Sequence, residues 1–537
     1  MKPSTFLPGV AALSTVAAVE PVVDVDYTSY RGVALSNGIT QWVGMRYAAP
    51  PLGQLRFAAP QDPLEVDGIQ DANVQGPICL GTGQNLPADQ SAEDCLYIAV
   101  YAPSNATADS KLPVFVYFQG GGFNTNSDPN LNGTGIIQAG DSQLIFVTLN
   151  YRVGPWGFLS GQEVTARASN NNGLKDQRKA LEWVNKYICR FGGNPDHVVI
   201  GGGSAGGASV TLQLAAYNGT DSGLFHGTAA SAQSFGRVLT IPETQYQYDN
   251  LVIRADCVSS NDTLACLRSL NATFLQSINI NTPAGGATGA PLYMYSPVLD
   301  SDFLTSYTLS GAFSQSRFPL LPAIYGDANN EGTVFAPRST ANSSQSSTFL
   351  KNQYPTITLA QLSTIASLYP RAEQFNGSGA YWRQLSNAYG ELRYICPGIF
   401  ISSQYASRGQ TRNWNYRWDV RDPEAEESGF GVTHTVEVNA IFGPDNVQKV
   451  PPASYEVGGI NEEVGRRIQR FWANFVRFLD PNGGDAGDDG GEWENWQSRD
   501  GGRRLLFRTE GVEMEDVDAG QMGRCETLLG YREGLRQ

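Results

Sequence analysis

The run HVVIGGGSAGGASV, from His197 to Val210, holds the residues best suited to chemistry. An apolar stretch, Val198 to Ile200, reads as the end of a buried strand, and the periodic residues after Ala208 read as a helix, with a glycine-crowded turn between them. Two kinds of chemistry fit that turn. Gly201, Gly203 and Gly206 satisfy G-x-G-x-x-G, which seats a dinucleotide pyrophosphate on a helix N-terminus. Gly202, Ser204 and Gly206 satisfy G-x-S-x-G, in which a strained turn presents a serine hydroxyl as a nucleophile. With 59 glycines in 537 residues, the second pattern arises by chance on the order of half a time, so the surroundings must decide.

A dinucleotide site needs an acid about 20 positions further on to bind the ribose. Asp221 has that spacing, but it lies in the loop sequence YNGTDSG. A nucleophile needs a histidine base, a carboxylate to orient it and backbone N–H donors for the oxyanion. Of the three histidines, His197 opens the strand before the motif and His226 follows the nucleophile helix closely, so both read as structural. His434 lies in GFGVTHTVEVNAIFG, beyond the strand-like WNYRW. The stretch FPLLPAIY feeds into GDANNEGTVF, which offers both Asp327 and Glu331 as the acid. The strand-like LPVFVYF feeds into QGGGF, Gln119 to Phe123, whose glycines let amides approach a substrate with no Cβ in the way.

Elements of alternating type must position these residues. Leu112–Phe118, Leu144–Leu149, His197–Ile200, Phe318–Tyr325 and Trp414–Trp418 read as strands. Asp176–Ile188 has helical spacing, and Asn461 is placed to cap a helix running to about Leu479. The pattern predicts an α/β fold with a central, mostly parallel sheet flanked by helices. The order serine, acid, histidine is that of the α/β-hydrolase fold. The stretches Phe235–Phe318 and Ala336–Glu391 read as helical and loop insertions that shape a pocket over the sheet, and NGGDAGDDGGEWENW, from Asn482, as a solvated acidic loop.

A net charge of −15 repels polyanions, which argues against a nucleic-acid partner. The N-terminus has one lysine, an apolar stretch from Val10 to Val19 and small residues at Ala17 and Ala18, the pattern of a signal peptide over residues 1–18. Sequons at Asn105, Asn132, Asn218, Asn261, Asn271, Asn342 and Asn376 fit a glycosylated, secreted chain. No apolar run reaches the roughly 18 residues of a membrane span. Of seven cysteines, Cys79/Cys95 and Cys257/Cys266 close short loops suited to disulfides, and none has the C-x-x-C spacing of a zinc site.

The sequence resembles the type-B carboxylesterase/lipase family, and most closely its secreted fungal carboxylesterases. The resemblance spans nearly the whole chain after the leader. It rests on GMRYAAPPLGQLRFAAP (44–60), SAEDCLYIAVYAP (91–103), QGGGF, NYRVGPWGFLS (150–160), NNGLKDQRKALEWV (171–184), FGGNPDHVVIGGGSAGG (191–207), NNEGTVF (329–335) and GVTHTVEVNAIFG (431–443). It implies Ser204 as nucleophile, His434 as base and then acid, and Glu331 rather than Asp327 as orienting carboxylate. The oxyanion hole would be the N–H groups of Gly121, Gly122 and Ala205. It further implies the pairs Cys79–Cys95, Cys257–Cys266 and Cys396–Cys525, with Cys189 left as a buried free thiol. Three departures stand out. Gly203 replaces a glutamate common before the nucleophile. The Cys79–Cys95 loop is short and lacks a tryptophan, against a choline substrate and against a lipase flap. Gln119 replaces a histidine or tyrosine.

These features predict a signal peptide at 1–18 and a single α/β-hydrolase domain at 19–537. The chain is expected to be a secreted serine carboxylesterase that acts on small-molecule esters and needs neither metal nor organic cofactor. A lipase, lactonase or acyltransferase, one acting on a secondary metabolite included, would use the same residues. A non-catalytic cholinesterase-like binding protein would need none of them.

Overall fold

Strands of strongly apolar sequence build the centre of the molecule. The computed structural model describes residues 21–84, 87, 89–484, 491–498 and 501–537. The expected signal peptide, part of the Cys79–Cys95 loop and part of the acidic loop after Asn482 lie outside the described residues. Among the described residues the main sheet has 11 strands: β1 (Val33–Ala34), β2 (Ile39–Arg46), β3 (Tyr97–Pro103), β4 (Leu112–Phe118), β5 (Ile145–Leu149), β6 (Gly193–Gly203), β7 (Gly227–Ser231), β8 (Ala323–Ala328), β9 (Asn413–Asp419), β10 (Arg503–Arg508) and β11 (Gly511–Asp516). Their spatial order is 11-10-9-8-7-6-4-5-3-2-1. Strands β5, β4, β6, β7, β8, β9 and β10 run parallel, and antiparallel pairs finish both edges.

A parallel sheet is stable only with both faces covered, and β4 shows how its sequence provides for that. Val114, Val116 and Phe118 enter one core with α1 (Asn172–Tyr187) and α2 (Ala205–Gly219). Phe115 and Tyr117, pointing the other way, join Val464, Ile468, Trp472 and Phe475 of α3 (Glu462–Phe478). A third core gathers Phe349, Leu350, Ile365, Trp382 and Leu385 from the second insertion. Charged motif residues tie the loops down: Arg56 Nε meets Glu93 at 2.6 Å, Arg46 Nη1 meets Asp94 at 2.7 Å, and buried Arg152 Nη2 meets Asp176 at 2.6 Å.

Several boundaries differ from expectation. The strand expected at Phe318–Tyr325 starts only at Ala323, because Pro319 and Pro322 lack the N–H a ladder needs. Asn461 takes the expected N-cap position of α3, its carbonyl accepting from the amide of Gly465 at 3.0 Å, but its side chain makes no cap bond and donates instead to the carbonyl of Arg421 at 2.9 Å. Cys396–Cys525, Cys79–Cys95 and Cys257–Cys266 are disulfide-bonded. The reading of Cys189 as buried is corrected: it is exposed, on a short 3-10 turn whose neighbours Ile188 and Phe191 take the inward positions. The third disulfide lies beside Glu391, but sulfurs bonded to each other are not metal ligands.

Candidate active site

All the residues expected to do chemistry lie at or just beyond the C-terminal ends of the parallel strands. There the chain order reverses, with β4 between β6 and β5, the usual place for a site in such sheets. Ser204 follows β6 directly and has φ 57° and ψ −121°, a strained backbone for a residue with a side chain. Surrounding bonds hold it there. Its N–H donates to the carbonyl of Ser231 at 3.0 Å, and its own carbonyl accepts from Ala208 and Ser234 at 2.9 and 3.1 Å. Gly202 and Gly206 are pressed together so tightly that a Cβ on Gly202 would strike the Gly206 backbone, which explains the outer glycines of G-x-S-x-G.

Gly121 and Gly122 have φ +111° and +61°, a region glycine tolerates without penalty. A Cβ on Gly121 would collide with the carbonyl of Thr125, and one on Gly122 with the ring of Tyr293. Ala205 opens α2, so its amide is one of the helix N–H groups with no partner inside the helix. Gln119, uninterpreted in sequence, anchors this loop. Its Nε2 donates to Asn126 Oδ1 at 2.9 Å, and Asn126 donates in turn to the carbonyl of Cys79 at 2.7 Å, beside the first disulfide.

Glu331 and His434 meet because their loops pair beyond β8 and β9. The amide of Asn330 donates to the carbonyl of Val432 and the amide of Val432 to Asn330 Oδ1, each at 2.9 Å. This bridge sets His434 Nδ1 against Glu331 Oε2, while Glu331 Oε1 accepts from the amide of Ala328 at 2.6 Å. Asp327 turns elsewhere, accepting from Gln233 Nε2 at 3.0 Å. The imidazole packs against the stacked rings of Tyr394 and Phe335, with centroids 4.6 and 4.9 Å away. Burial works against charge on both partners, pushing the carboxyl of Glu331 up and the imidazolium of His434 down, so the ring rests neutral near pH 7. His434 Nε2 is buried and has no hydrogen-bond partner among the described residues. The bond from Ser204 Oγ is therefore open, as is common before substrate binds.

The other histidines have structural partners: His197 Nε2 is 2.9 Å from the carbonyl of Val476, and His226 Nδ1 accepts from the amide of Val198. Asp221 accepts from the amide of Gly223 within its own exposed loop. Gly203 also gains a reason. A Cβ there would lie 2.9 Å from the hydroxyl of Tyr117 and 3.6 Å from Thr435, so Tyr117 fills the space a glutamate would need.

Sequence reasoning missed Glu437, although it lies three residues after His434. It is wholly buried, accepts from Ser231 Oγ at 2.5 Å, and is pushed up to about 7 by burial and then by Glu331. A carboxyl whose folded pKa lies above its unfolded value of 4.5 favours the fold fully below pH 4.5, and that stabilisation is lost as pH rises toward 7. Glu437→Gln is therefore expected to flatten the fall in melting temperature between pH 5 and pH 8. An identical slope in wild type and variant would refute the assignment.

The comparisons with known proteins point the same way. The carboxylesterase family's sequence profile matches residues 19–516. Secreted lipase 1 of Botryotinia fuckeliana is 28% identical over 87% of this chain and 85% of its own length. The para-nitrobenzyl esterase of Bacillus subtilis is 28% identical over 86% of this chain and 90% of its own length. Among solved structures, Aspergillus niger EstA superposes with a TM-score of 0.93 at 38% identity, covering 97% of this chain and 99% of that one. The chain belongs to the carboxylesterase family, has the α/β-hydrolase fold and is a carboxylic ester hydrolase.

Proposed function

We propose that the chain is a secreted serine esterase acting on short esters through Ser204, His434 and Glu331. The observation that carries this reading is the contact of a buried, otherwise open imidazole with Glu331, on the loop that packs against the strained Ser204 turn. Ser204 Oγ attacks the ester carbonyl while His434 Nε2 takes its proton. Glu331 offsets the charge of the imidazolium, and the amides of Gly121, Gly122 and Ala205 receive the oxyanion. The alcohol leaves with the proton from His434, and water then releases the acid from the acyl-enzyme.

The pocket beside Gly122 is a narrow cavity of about 30 Å³, which suits a short substituent on the ester. Secretion is supported by relatives named secreted lipases and by the sequon asparagines. Asn105, Asn218, Asn261, Asn271, Asn342 and Asn376 are exposed, while Asn132 is half-buried. No helix of the described residues is long and apolar enough to cross a membrane. An organophosphate ester tests the reading. It is expected to inactivate the chain with one label, on the peptide bearing Ser204, and full activity after exposure to it would overturn the proposal.

A further inference from the structure

The pocket that opens beside Gly122 is lined by two arginines, Arg237 and Arg393, each only 7% exposed. Among the described residues no carboxylate pairs with either. Arg393 donates through Nε to Ser234 Oγ at 2.9 Å, and Arg237 through Nη2 to Tyr246 Oη at 3.0 Å. The guanidinium of Arg393 is otherwise surrounded by the rings of Tyr293, Tyr389 and Tyr394, with centroids 5.5, 5.8 and 5.9 Å away. Ring faces offset part of the cost of burying a cation, but a buried charge ordinarily needs a counter-ion. Gly236 leaves one approach clear, since a Cβ there would lie 3.0 Å from Arg393 Nη2.

Arg393 is also fixed relative to the reacting centre. Ser234, which accepts its Nε–H, donates its own amide to the carbonyl of Ser204, and the amide of Phe235 donates to the carbonyl of Arg393. A cation so placed, lining the same pocket as Gly122 and with no side-chain carboxylate paired to it among the described residues, selects for charge in the substrate. We propose that the substrate of this site carries a carboxylate on the branch that enters the pocket, where it pairs with Arg393 and Arg237. The inference rests on the esterase reading of Ser204. The narrowness of the pocket limits that branch to a short one, such as the free carboxylate of a half-ester of a small diacid.

Matched ester pairs test the proposal. On the acyl side, 4-nitrophenyl hemisuccinate is compared with 4-nitrophenyl 4-methylpentanoate; on the alcohol side, 3-acetoxypropanoate is compared with 3-methylbutyl acetate. The wild-type chain is expected to show a ratio of kcat/KM, anionic over neutral, of at least about tenfold in one series, and that series identifies the branch. In Arg393→Gln the ratio is expected to fall at least about tenfold, whatever change is common to both esters, with Arg393→Lys intermediate. A wild-type preference for the neutral ester in both series, or a ratio unmoved by Arg393→Gln, would overturn the proposal. Failure to hydrolyse any of the four esters would instead count against the esterase reading itself.

Discussion

Replacing Ser204 with alanine is expected to lower kcat on a short-chain aryl ester by about 10⁶-fold, the cost of removing the nucleophile of a triad. What survives should be the modest acceleration supplied by the oxyanion amides and by binding alone. The substitution suits the site because alanine keeps the Cβ and loses only the hydroxyl. The turn at φ 57° is held by backbone bonds to Ser231, Ala208 and Ser234, none of which uses Ser204 Oγ. Folding is therefore expected to be unaffected. Steady-state hydrolysis of 4-nitrophenyl butyrate checks the result, and activity within tenfold of wild type would remove Ser204 from the chemistry.

Glu331→Gln is expected to cost about 10⁴-fold in kcat while leaving the shape of the site intact. The reason is the amide of Ala328, which donates to Glu331 Oε1 at 2.6 Å. A glutamine must turn its carbonyl oxygen toward that donor, which aims its NH₂ at His434 Nδ1. That nitrogen must then accept, so the single proton of the neutral ring moves to Nε2 and the lone pair needed for proton abstraction is lost. Glu331→Asp should be less damaging, because it keeps an acceptor facing the ring. Equal losses in the two variants would mean that the carboxylate acts by packing rather than by fixing the tautomer.

The features legible in the sequence are those written in short-range patterns. Apolar runs gave β4 and β6, and the glycines of QGGGF and GGGSAGG gave the turns after them, because a close backbone approach admits little else. The insertions were recognisable as such, but what they contribute to the pocket was not. Arg393 lies in Glu391–Ile395, one π-helical turn that follows the helix Trp382–Gly390 and changes which residues face inward. Its environment is assembled from Ser234, Gly236 and Tyr293 in another segment, and no spacing rule connects them. Long-range packing also decided Cys189, whose 3-10 turn exposes it, and Gly203, whose missing side chain makes room for Tyr117. The choice between Asp327 and Glu331 was open to the residues alone, and only the pairing of Asn330 with Val432 brings one of them to the imidazole.

The central claim is that Ser204 becomes acylated during turnover, and rapid mixing of the enzyme with 4-nitrophenyl butyrate followed by acid quench and peptide mass analysis addresses it most directly. A burst of nitrophenolate approaching one per chain, with a butyryl group on the peptide containing Ser204, is the predicted result. Turnover with that peptide unmodified and the butyryl group on another residue would contradict it.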